Sequence, residues 1–432
     1  MSLTWKAARS SGLHGRFSVP GDKSISHRAI IFGALAEGRT QVSGFLEGED
    51  TRATARIFGQ LGVRIDTPDA QSRIIHGVGL HGLQASSAPL DCGNAGTGMR
   101  LLTGLLCAQA FDSVLIGDAS LSQRPMARVI GKLEAMGARI SAREGNYAPL
   151  HVHGGQRLKP VEIDTGVASA QVKSALLLAA MYAEGESLIT EPRPTRDYTE
   201  AMLQSLGWPI SYSPGRIWIH GGGRLQAGEI RIPGDISSAA FLITAALLIP
   251  DSDITLVSIG VNPRRTGLLQ ALRMMGGRIE LFNECEQGGE PVADVRVQYS
   301  ALKAIDLPEE WVPDMIDECP IFFVAAALAD GTTHARGLAE LRVKESDRIA
   351  SMVAGLRAMG AVVEETPDSV TITGGSLHGA EIQSHHDHRI AMSFAVAGQC
   401  ASGETVLRDC DNVATSFPGF VDLAQSAGMI LE

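Results

Sequence analysis

Several short stretches of the 432-residue sequence combine cations, hydroxyls and carboxylates in a pattern suited to binding anions. The first stretch, GDKSISHR, contains Lys23, Ser24 and Arg28. These side chains supply a point cation, a hydroxyl and a planar guanidinium, which are groups that bind phosphate and carboxylate. The stretch is not a P-loop, because Asp22 separates the glycine from the lysine. The alternative interpretation is an ordinary solvated helix start.

Three later stretches offer further donors. Gly96 and Arg100 lie in GNAGTGMR, where glycines let a backbone approach a ligand closely. Arg124 stands directly before a proline in LSQRPMAR, at a position where a helix can begin. Ser169 and Gln171 in ASAQVKS are neutral donors suited to hydroxyl groups. A tight turn is the alternative for the glycine-rich stretch.

Another stretch, PTRDYTE, adds Thr195, Arg196 and Tyr198 just before a predicted helix. Helix capping at the surface is the alternative there.

Two stretches contain candidate acids and bases. LRVKESDR places Glu345 between Lys344 and Arg348, where neighbouring cations can tune a carboxylate for proton transfer. PDMIDE contains Asp314 and Asp317 just before an apolar run. The alternatives are an exposed, ion-paired helix for the first stretch and a helix cap for the second.

The stretch HHDHR at residues 385–389 has the residue types of a zinc site. No second cluster in the sequence completes such a site, so Asp387 and Arg389 are better interpreted as part of an anion site, and no metal is expected. The stretch GVGLHG at 77–82 matches a dinucleotide-binding fingerprint, but the residues after it do not predict the helix that this motif requires.

Composition excludes several classes of function. The formal net charge is −11 and the chain has no basic tract, which argues against nucleic acid as a partner. None of the six cysteines forms a C-x-x-C pair, which favours a reduced, cytoplasmic protein. The longest apolar run, residues 239–250, is too short to span a bilayer.

The chain is built from six copies of one unit, which start roughly 70 to 80 residues apart. Each copy begins with polar or glycine-rich residues followed by an apolar run, which predicts a buried helix. A strand, an amphipathic helix ending in glycine, and a strand pair are expected to follow. The six starts are GDKSISHRAIIFGALAEG, GNAGTGMRLLTGLLCA, GVASAQVKSALLLAAMYAEG, GDISSAAFLITAALLIP, PDMIDECPIFFVAAALADG and HHDHRIAMSFAVAGQCASG.

The repeat predicts an α/β fold of two domains. The sixth unit lacks its final strands, and about twenty unassigned residues precede the first unit. We therefore expect the N-terminal strands to complete the last unit. The predicted domains are residues 1–20 plus 234–432, and an inserted domain at 21–233. Pro-Gly turns mark both crossings and are expected to act as hinges. The N-termini of the six buried helices are expected to aim unpaired backbone amides at an anion.

Nine motifs, in this order along the whole chain, identify a resemblance to the 5-enolpyruvylshikimate-3-phosphate synthase family. They are GDKSISHR, GNAGTGMR, SLSQRPM, ASAQVKSA, RDYTEAML, MIDE, LRVKESDR, HDHRIAMSF and ATSFPGF. Three of them look more like the family's class II members than its class I members. The resemblance implies six βαβαββ-type repeats in a two-domain, inside-out α/β barrel.

The resemblance also implies the reaction, the enolpyruvyl transfer of the shikimate pathway, and the residues that perform it. Shikimate 3-phosphate would be held by Lys23, Ser24, Arg28, Ser169, Ala170, Gln171, Arg196, Asp317 and Lys344. Phosphoenolpyruvate would be held by Lys23, Gly96, Arg124, Gln171, Glu345, Arg348 and Arg389. Asp317 and Lys23 would deprotonate the hydroxyl, and Glu345 would protonate the methylene carbon. The resemblance further implies a cytoplasmic monomer that needs no cofactor and is inhibited by glyphosate.

Three positions depart from the family pattern. Ala170 stands where many members have a second serine, and Glu340 where some have an asparagine that contacts the substrate phosphate. Thr415 stands where class I members carry a lysine that binds phosphoenolpyruvate.

Two alternatives remain open at this point. The first is the UDP-N-acetylglucosamine enolpyruvyl transferase, which has a similar repeat and uses a reactive cysteine. Here Cys92 and Cys107 flank the GNAGTGMR stretch, and no cysteine lies between Cys107 and Cys285. The second is a non-catalytic anion-binding protein, which would have no need of Glu345 and Asp317.

Overall fold

A computed structural model describes residues 3–432, which form two compact units. Domain I comprises the described residues up to Pro20 together with Pro233–Cys285 and Pro291–Glu432. Domain II comprises Gly21–Ile232 and the short segment Glu286–Glu290. The sequence-based boundaries instead put residue 233 in the inserted domain and 286–290 in the other. Residues 286–290 form the tip of a hairpin, and no sequence pattern marks their assignment to domain II.

Elements are numbered in chain order. Two strands of domain I come first, β1 (Trp5–Ala8) and β2 (His14–Phe17). The helices of domain II follow: α1 (Lys23–Leu35), α2 (Glu49–Gln60), α3 (Gly96–Leu106), α4 (Ala127–Ala135), α5 (Ala170–Ala180) and α6 (Tyr198–Ser205). Its strands are β3 (Glu37–Ser43), β4 (Arg64–Asp69), β5 (Ser72–Val78), β6 (Leu90–Asp91), β7 (Ser113–Ile116), β8 (Arg139–Arg143), β9 (Tyr147–His153), β10 (Glu162–Asp164), β11 (Glu186–Thr190), β12 (Ile210–Ser213), β13 (Arg216–His220) and β14 (Glu229–Arg231).

The remainder of domain I repeats the same order of elements. Its helices are α7 (Ile236–Leu248), α8 (Gly267–Met274), α9 (Cys319–Ala327), α10 (Arg348–Ala358), α11 (His388–Cys400) and α12 (Phe420–Ala427). Its strands are β15 (Asp253–Gly260), β16 (Arg278–Gln287), β17 (Glu290–Gln298), β18 (Thr332–Ala335), β19 (Val362–Glu365), β20 (Val370–Thr373), β21 (Glu381–Gln383), β22 (Thr405–Arg408) and β23 (Ile430–Leu431). Short 3-10 turns occupy Leu121–Gln123, Glu309–Asp314, Ala339–Val343 and Cys410–Thr415.

Every repeat builds one small sheet. The domain II sheets have the strand orders β14-β3-β5-β4, β6-β7-β9-β8 and β10-β11-β13-β12, and those of domain I are β2-β15-β17-β16, β18-β20-β19 and β21-β22-β1-β23. In the four-stranded sheets the first strand is parallel to its neighbour and the other pairs are antiparallel. Strand β1 pairs with both β22 and β23, so the first residues of the chain complete the sheet of the sixth repeat.

The first helix of each repeat is buried, which confirms the interpretation of the apolar runs. Helix α9 is buried along its whole length, and α7 from Ile236 to Leu247. The second helices were expected to bury one face only, and this is wrong for α6, which is buried from Tyr198 to Leu203. Its polar residues 199 and 200 bind buried charges, a requirement that its sequence does not display. Within residues 3–432, no helix is both long and apolar enough to cross a bilayer.

Glycine ends all six second helices in the left-handed conformation, as the sequence predicted. The φ angles of these glycines lie between 80° and 110°, at Gly62, Gly137, Gly207, Gly276, Gly360 and Gly428. Side chains rarely adopt such angles, so glycine is the natural residue at this turn.

The C-terminal end of a buried helix is closed by the end of a strand. In five repeats a strand-end amide donates to a carbonyl oxygen at the helix end, with distances of 2.7–3.1 Å; the donors are Ser10, Gly155, Gly222, Ser300 and Gly375. In three of these repeats the residue before the donor is also glycine. A Cβ there would lie 1.7–2.2 Å from a backbone oxygen, at Gly154, Gly221 and Gly374. The helix and the strand end can therefore meet only if this side chain is absent.

Gly221→Ala tests this close contact. The new Cβ would lie 1.8 Å from the carbonyl oxygen of Ala183, so the backbone must shift, and such overpacking costs about 1–3 kcal/mol or more. We expect urea denaturation to show a loss of this size in the free energy of unfolding. The control is Gly228→Ala, because a Cβ at that position meets nothing within 4 Å. Equal stabilities of the two variants would contradict the role of the contact.

Candidate functional site

The N-terminal end of α1 brings together residues from three parts of domain II. The Asp22 carboxylate accepts a hydrogen bond from the Ile25 amide at 2.9 Å and another from the Tyr198 hydroxyl at 3.0 Å. The Lys23 ammonium lies 3.0 Å from a carboxylate oxygen of Asp50, and its side chain is 18% exposed. The candidate cation Lys23 is therefore held in place at an accessible position.

Arg28 lies one turn further into α1 and is buried. Its guanidinium donates to Thr199 Oγ1 and Ser174 Oγ, both at 2.7 Å, and to the Ser24 carbonyl oxygen at 2.9 Å. Burial lowers the pKa of Arg28 to about 10, although Glu200 nearby raises it. Because the partners that hold Arg28 are neutral, its positive charge is not cancelled within this contact.

Gly96 begins α3 between two arginines. A Cβ on Gly96 would lie 3.1 Å from Nη1 of Arg124 and 3.2 Å from Nη1 of Arg100. Arg124 donates to the Asn94 side-chain oxygen at 2.6 Å, and Arg100 to the Gln171 side-chain oxygen at 2.6 Å. Two guanidiniums thus converge on one glycine at the start of a helix, which is an arrangement suited to an anion.

Arg100 is a residue that sequence analysis noted but did not assign to a ligand. It orients Gln171, whose amide group also donates to Thr97 Oγ1 at 2.9 Å. Its position four residues after the glycine that opens the helix was a usable signal, because side chains at that spacing lie on the same face.

The start of α5 carries the neutral candidates. Ser169 is the N-cap, and its hydroxyl accepts from the Val172 amide at 3.5 Å. Ser169, Ala170 and Gln171 are half-buried, as is Arg196 in the segment before α6. The position of Ala170 at the first turn leaves its backbone amide, rather than a hydroxyl, as the polar group at this point.

A buried charged cluster supports the segment that carries Arg196. The Lys173 ammonium lies 2.9 Å from Glu191 and 2.8 Å from Glu200, and it donates to the Thr195 carbonyl oxygen at 3.3 Å. All three side chains of the ion cluster are at most 2% exposed. Sequence analysis missed it, although a lysine inside an otherwise apolar helix is an unusual feature.

Arg348 organises the polar residues of domain I. Its guanidinium donates to Asp387 at 2.8 Å, to Asp317 at 3.3 Å and to Glu345 at 2.5 Å, and it is 1% exposed. Burial alone would lower the pKa of Arg348, but Asp387, Glu345 and Asp317 raise it overall. One permanently charged cation therefore holds three carboxylates together.

The structure separates the two candidate aspartates. Asp317 contacts Lys344 at 3.2 Å as well as Arg348, whereas Asp314 lies 3.5 Å from Arg264. Arg389 joins the Asp317 side of the cluster by donating to the Asp317 carbonyl oxygen at 2.9 Å. Asp317 therefore lies with the cations Lys344 and Arg348 of this cluster.

A second buried network lies beside this cluster, at the start of α7. Glu318 accepts from Ser237 Oγ and lies 3.4 Å from Arg389 and 3.7 Å from Arg265. Both Glu318 and Arg265 are buried. Sequence analysis did not single out this network, because its members are far apart in the chain.

The expectation of unpaired amides at all six helix starts is wrong for four of them. At α5 the Ser169 hydroxyl accepts from the Val172 amide. Carboxylates of the chain itself accept from the first amides of α1, α7 and α11; these caps are Asp22, Asp235 and Asp387. A carboxylate is the best partner for a helix start, so these aspartates take the place that an anionic ligand would occupy. Asp387 is thereby committed to its helix and to Arg348.

The two domains treat their cations differently. In domain II, Arg28, Arg100 and Arg124 donate to oxygens of hydroxyls, amides and the backbone. In domain I, Lys344 and Arg348 are bound by carboxylates. Several guanidiniums of domain II therefore donate to neutral oxygens, while domain I places carboxylates beside cations, an arrangement suited to proton transfer.

The structure also places two of the positions that depart from the family pattern and the two cysteines beside GNAGTGMR. Thr415 is buried and donates from Oγ1 to the Asn412 carbonyl oxygen at 2.6 Å, while Glu340 lies in a 3-10 turn. Cys92 and Cys107 are buried; burial raises the pKa of Cys107 to about 12 and raises that of Cys92 as well. Thiols in this state are poor nucleophiles.

Known proteins match this chain over nearly its full length. The model of the EPSP synthase (3-phosphoshikimate 1-carboxyvinyltransferase) family matches residues 8–423. A 3-phosphoshikimate 1-carboxyvinyltransferase of Xanthomonas euvesicatoria pv. vesicatoria is 60% identical over 99% of this chain and 97% of its own length. That of Xanthomonas campestris pv. campestris is 61% identical over 98% and 97%.

Solved structures give the same result for the fold. An EPSP synthase from Acinetobacter baumannii has a TM-score of 0.90 and 49% identity, with 99% of each chain covered. The enolpyruvyl transferase NikO from Streptomyces tendae has a TM-score of 0.81 at 16% identity, with 100% of this chain and 99% of that chain covered, a likeness of fold alone.

Glu200→Gln tests the buried cluster through the pH dependence of stability. Burial raises the pKa of Glu200 above its usual value, although Lys173 opposes this. The folded protein then binds a proton that the unfolded chain releases, so wild-type stability falls as the pH rises from about 4.5 towards the folded-state pKa. Relative to Glu200→Gln, we expect wild type to lose stability between pH 5 and pH 8, because only wild type releases this proton.

Two further variants make the test specific. Glu186→Gln removes an exposed carboxylate and should leave the pH dependence of wild type unchanged. Lys173→Met leaves two buried carboxylates without their cation and should cost about 3–5 kcal/mol. A parallel pH dependence of wild type and Glu200→Gln would contradict the raised pKa of Glu200.

Proposed function

The chain belongs to the EPSP synthase family, and we propose that its two groups of polar residues divide the enolpyruvyl transfer into anion binding and proton transfer. The reaction adds the 5-hydroxyl of shikimate 3-phosphate to the central carbon of phosphoenolpyruvate, whose methylene carbon takes a proton. The tetrahedral intermediate then loses phosphate and a proton from the new methyl group. The chemistry requires a base, an acid and many donors for anionic oxygens.

Domain II supplies most of the donors in this proposal. Shikimate 3-phosphate is assigned to Lys23, Ser24, Arg28, Ser169, Ala170, Gln171 and Arg196 of this domain, and to Asp317 and Lys344 of domain I. Phosphoenolpyruvate is assigned to Lys23, Gly96, Arg124 and Gln171, and to Glu345, Arg348 and Arg389 of domain I. The support is that Arg28 donates to the neutral hydroxyls of Thr199 and Ser174 and so retains positive charge for phosphate and carboxylate.

One observation carries the assignment of the acid and the base. Asp317 and Glu345 accept hydrogen bonds from the two different Nη atoms of the same guanidinium, that of Arg348. Their carboxylates therefore stand close together with a fixed relative orientation. We assign Asp317 to deprotonation of the hydroxyl, with Lys23 in the same step, and Glu345 to protonation of the neighbouring methylene carbon.

Binding of phosphoenolpyruvate would prepare Glu345 for its role. Arg348 is fully engaged by carboxylates, so it can bind the carboxylate of the substrate only by giving one of them up. Glu345 is the most exposed of the three, at 23% against 15% for Asp317 and 0% for Asp387, so we assign the departure to Glu345. A carboxylate that loses its cation binds a proton more strongly, which suits an acid. The same carboxylate would take the proton back when phosphate leaves.

We further propose a cytoplasmic monomer that works without a cofactor. The cysteines are unpaired, which agrees with a reducing compartment. The related enolpyruvyl transfer to UDP-N-acetylglucosamine is disfavoured because the cysteines beside the GNAGTGMR stretch are buried thiols. An assay of phosphate release with both substrates tests the proposed reaction directly.

Variants of the two carboxylates test their roles. Glu345→Gln keeps the shape and the hydrogen bonding but cannot transfer a proton, so we expect turnover to fall about a hundredfold or more. The Kd for shikimate 3-phosphate, measured by calorimetry, should change little. Asp317→Asn should lower turnover similarly. Asp314→Asn is the matched control, since Asp314 pairs with Arg264, and its turnover should stay near that of wild type. The reverse order of the two aspartates would show that the wrong one was chosen.

Gly96→Ala tests the phosphoenolpyruvate site with glyphosate, an inhibitor of the family that is slightly longer than this substrate. We expect wild type to be inhibited competitively with phosphoenolpyruvate. The added methyl would crowd Arg124 and Arg100, and the longer molecule has less freedom to adjust to the shifted guanidiniums. The inhibition constant should rise about tenfold to two-hundredfold, and the KM for phosphoenolpyruvate much less.

Gly98→Ala is the control in the same stretch, because its Cβ would meet Thr54 and Ala95 rather than an arginine. It should leave inhibition unchanged. An inhibition constant of Gly96→Ala equal to that of wild type would show that tolerance is set elsewhere, with Thr415 as the next position to test.

A further inference from the structure

A cavity of about 440 Å³ lies at the C-terminal ends of three buried helices of domain I. Leu248 and Pro250 line it at the end of α7, Leu328 and Asp330 at the end of α9, and Cys400 at the end of α11. The candidate catalytic residues of this domain stand at the opposite ends of the same helices, which are about 20 Å away along a thirteen-residue helix. The cavity is therefore separate from the site described above.

A comparison of equivalent positions in the repeats shows that two side chains lining this cavity have no counterpart in three other repeats. The residue directly after the corresponding strand is Gly154, Gly221 or Gly374 in three repeats. Two further repeats also have the hydrogen bond from a strand-end amide to a helix-end carbonyl. In these two repeats the residue directly after the strand is Arg9 or Tyr299. Both of these larger residues line the cavity. Two side chains thus occupy positions where three equivalent strand ends carry none.

The charged groups at the cavity are available for a ligand. Arg9 and Asp330 are exposed, and neither side chain forms a hydrogen bond or an ion pair with another of the residues 3–432. Tyr299 is 40% exposed, and its hydroxyl likewise has no partner among these residues. A cation, an anion and an aromatic ring therefore border one cavity without using one another.

We propose that this cavity binds an α-amino acid with an apolar side chain. The carboxylate of the ligand pairs with Arg9, and its ammonium group with Asp330. The partial negative charge at three helix C-termini also favours the ammonium group. Its side chain contacts the ring of Tyr299 and the apolar wall formed by Pro250, Leu302 and Leu328.

Charge complementarity selects this class of ligand over simpler ones. A plain carboxylate would meet repulsion from Asp330 and from the helix ends, and a plain amine would meet repulsion from Arg9. The volume lies within the range of small-molecule pockets and accommodates a ligand of amino-acid size. The mixed apolar and charged lining matches a zwitterion with one apolar end.

Calorimetry or ligand-observed NMR on the full-length protein tests the proposal with L-leucine, L-methionine and L-phenylalanine as probes. We expect at least one to bind with a Kd of about 0.1–10 mM, as suits an open site with few contacts. L-Phenylalaninamide lacks the carboxylate and 3-phenylpropionate lacks the amine. Both should bind at least about tenfold more weakly than phenylalanine.

Arg9→Met and Asp330→Asn should each weaken the binding of the best probe about tenfold or more. The control is Arg39→Met, which removes an exposed arginine of domain II and should leave the Kd unchanged. Because Arg9 and Asp330 are exposed and have no side-chain partner among residues 3–432, we expect melting temperatures near that of wild type. Absence of binding by all three probes at about 10 mM would overturn the proposal. So would analogues that bind as tightly as phenylalanine, or a Kd unaffected by both cavity variants.

Discussion

Six helices of this protein are apolar on almost every face. The backbone amides at the start of each helix and the carbonyls at its end have no partner within the helix, so they must find hydrogen bonds elsewhere. This constraint governs the rest of the structure. At the C-terminal ends, a strand-end amide closes the helix, and glycines such as Gly221 and Gly374 allow the approach. At the N-terminal ends the chain collects its charged and hydroxylated residues. Burial of these helices requires polar groups at their N-terminal ends, and these groups form the candidate site.

The helix starts meet this requirement in two ways, and the difference separates binding from acid–base chemistry. Where neutral groups hold a guanidinium, as Ser174 holds Arg28, the positive charge remains available to an anion. Where carboxylates hold it, as at Arg348, the charge is cancelled and the carboxylates are fixed in position. A buried cation without carboxylates would cost several kcal/mol, so burial of Arg348 and the presence of its acids depend on each other. In the proposed reaction, an acid changes partner when a substrate carboxylate replaces it.

Much of the fold was accessible from local sequence patterns. The apolar runs predicted the buried helices, and each amphipathic helix ended at its predicted glycine, as at Gly62 and Gly428. The candidate residues stood out because their types cluster at helix starts. The pairing of β1 with β22 and β23 followed the count of strands in the repeat. These features depend on the order of residues within one unit, which a sequence displays directly.

The sequence by itself determined the six repeats, the buried helices, the family motifs and the residue types available for chemistry. Only the tertiary structure decided which of these residues meet. It placed Asp317 rather than Asp314 beside Arg348, and it surrounded Lys173 with two carboxylates from a later part of the chain. It also filled three helix starts with aspartates of the chain itself, where unpaired amides were expected. The reason is physical: helical periodicity acts over a few residues, whereas the pairing of a buried charge depends on the residues that folding brings within about 3 Å of it.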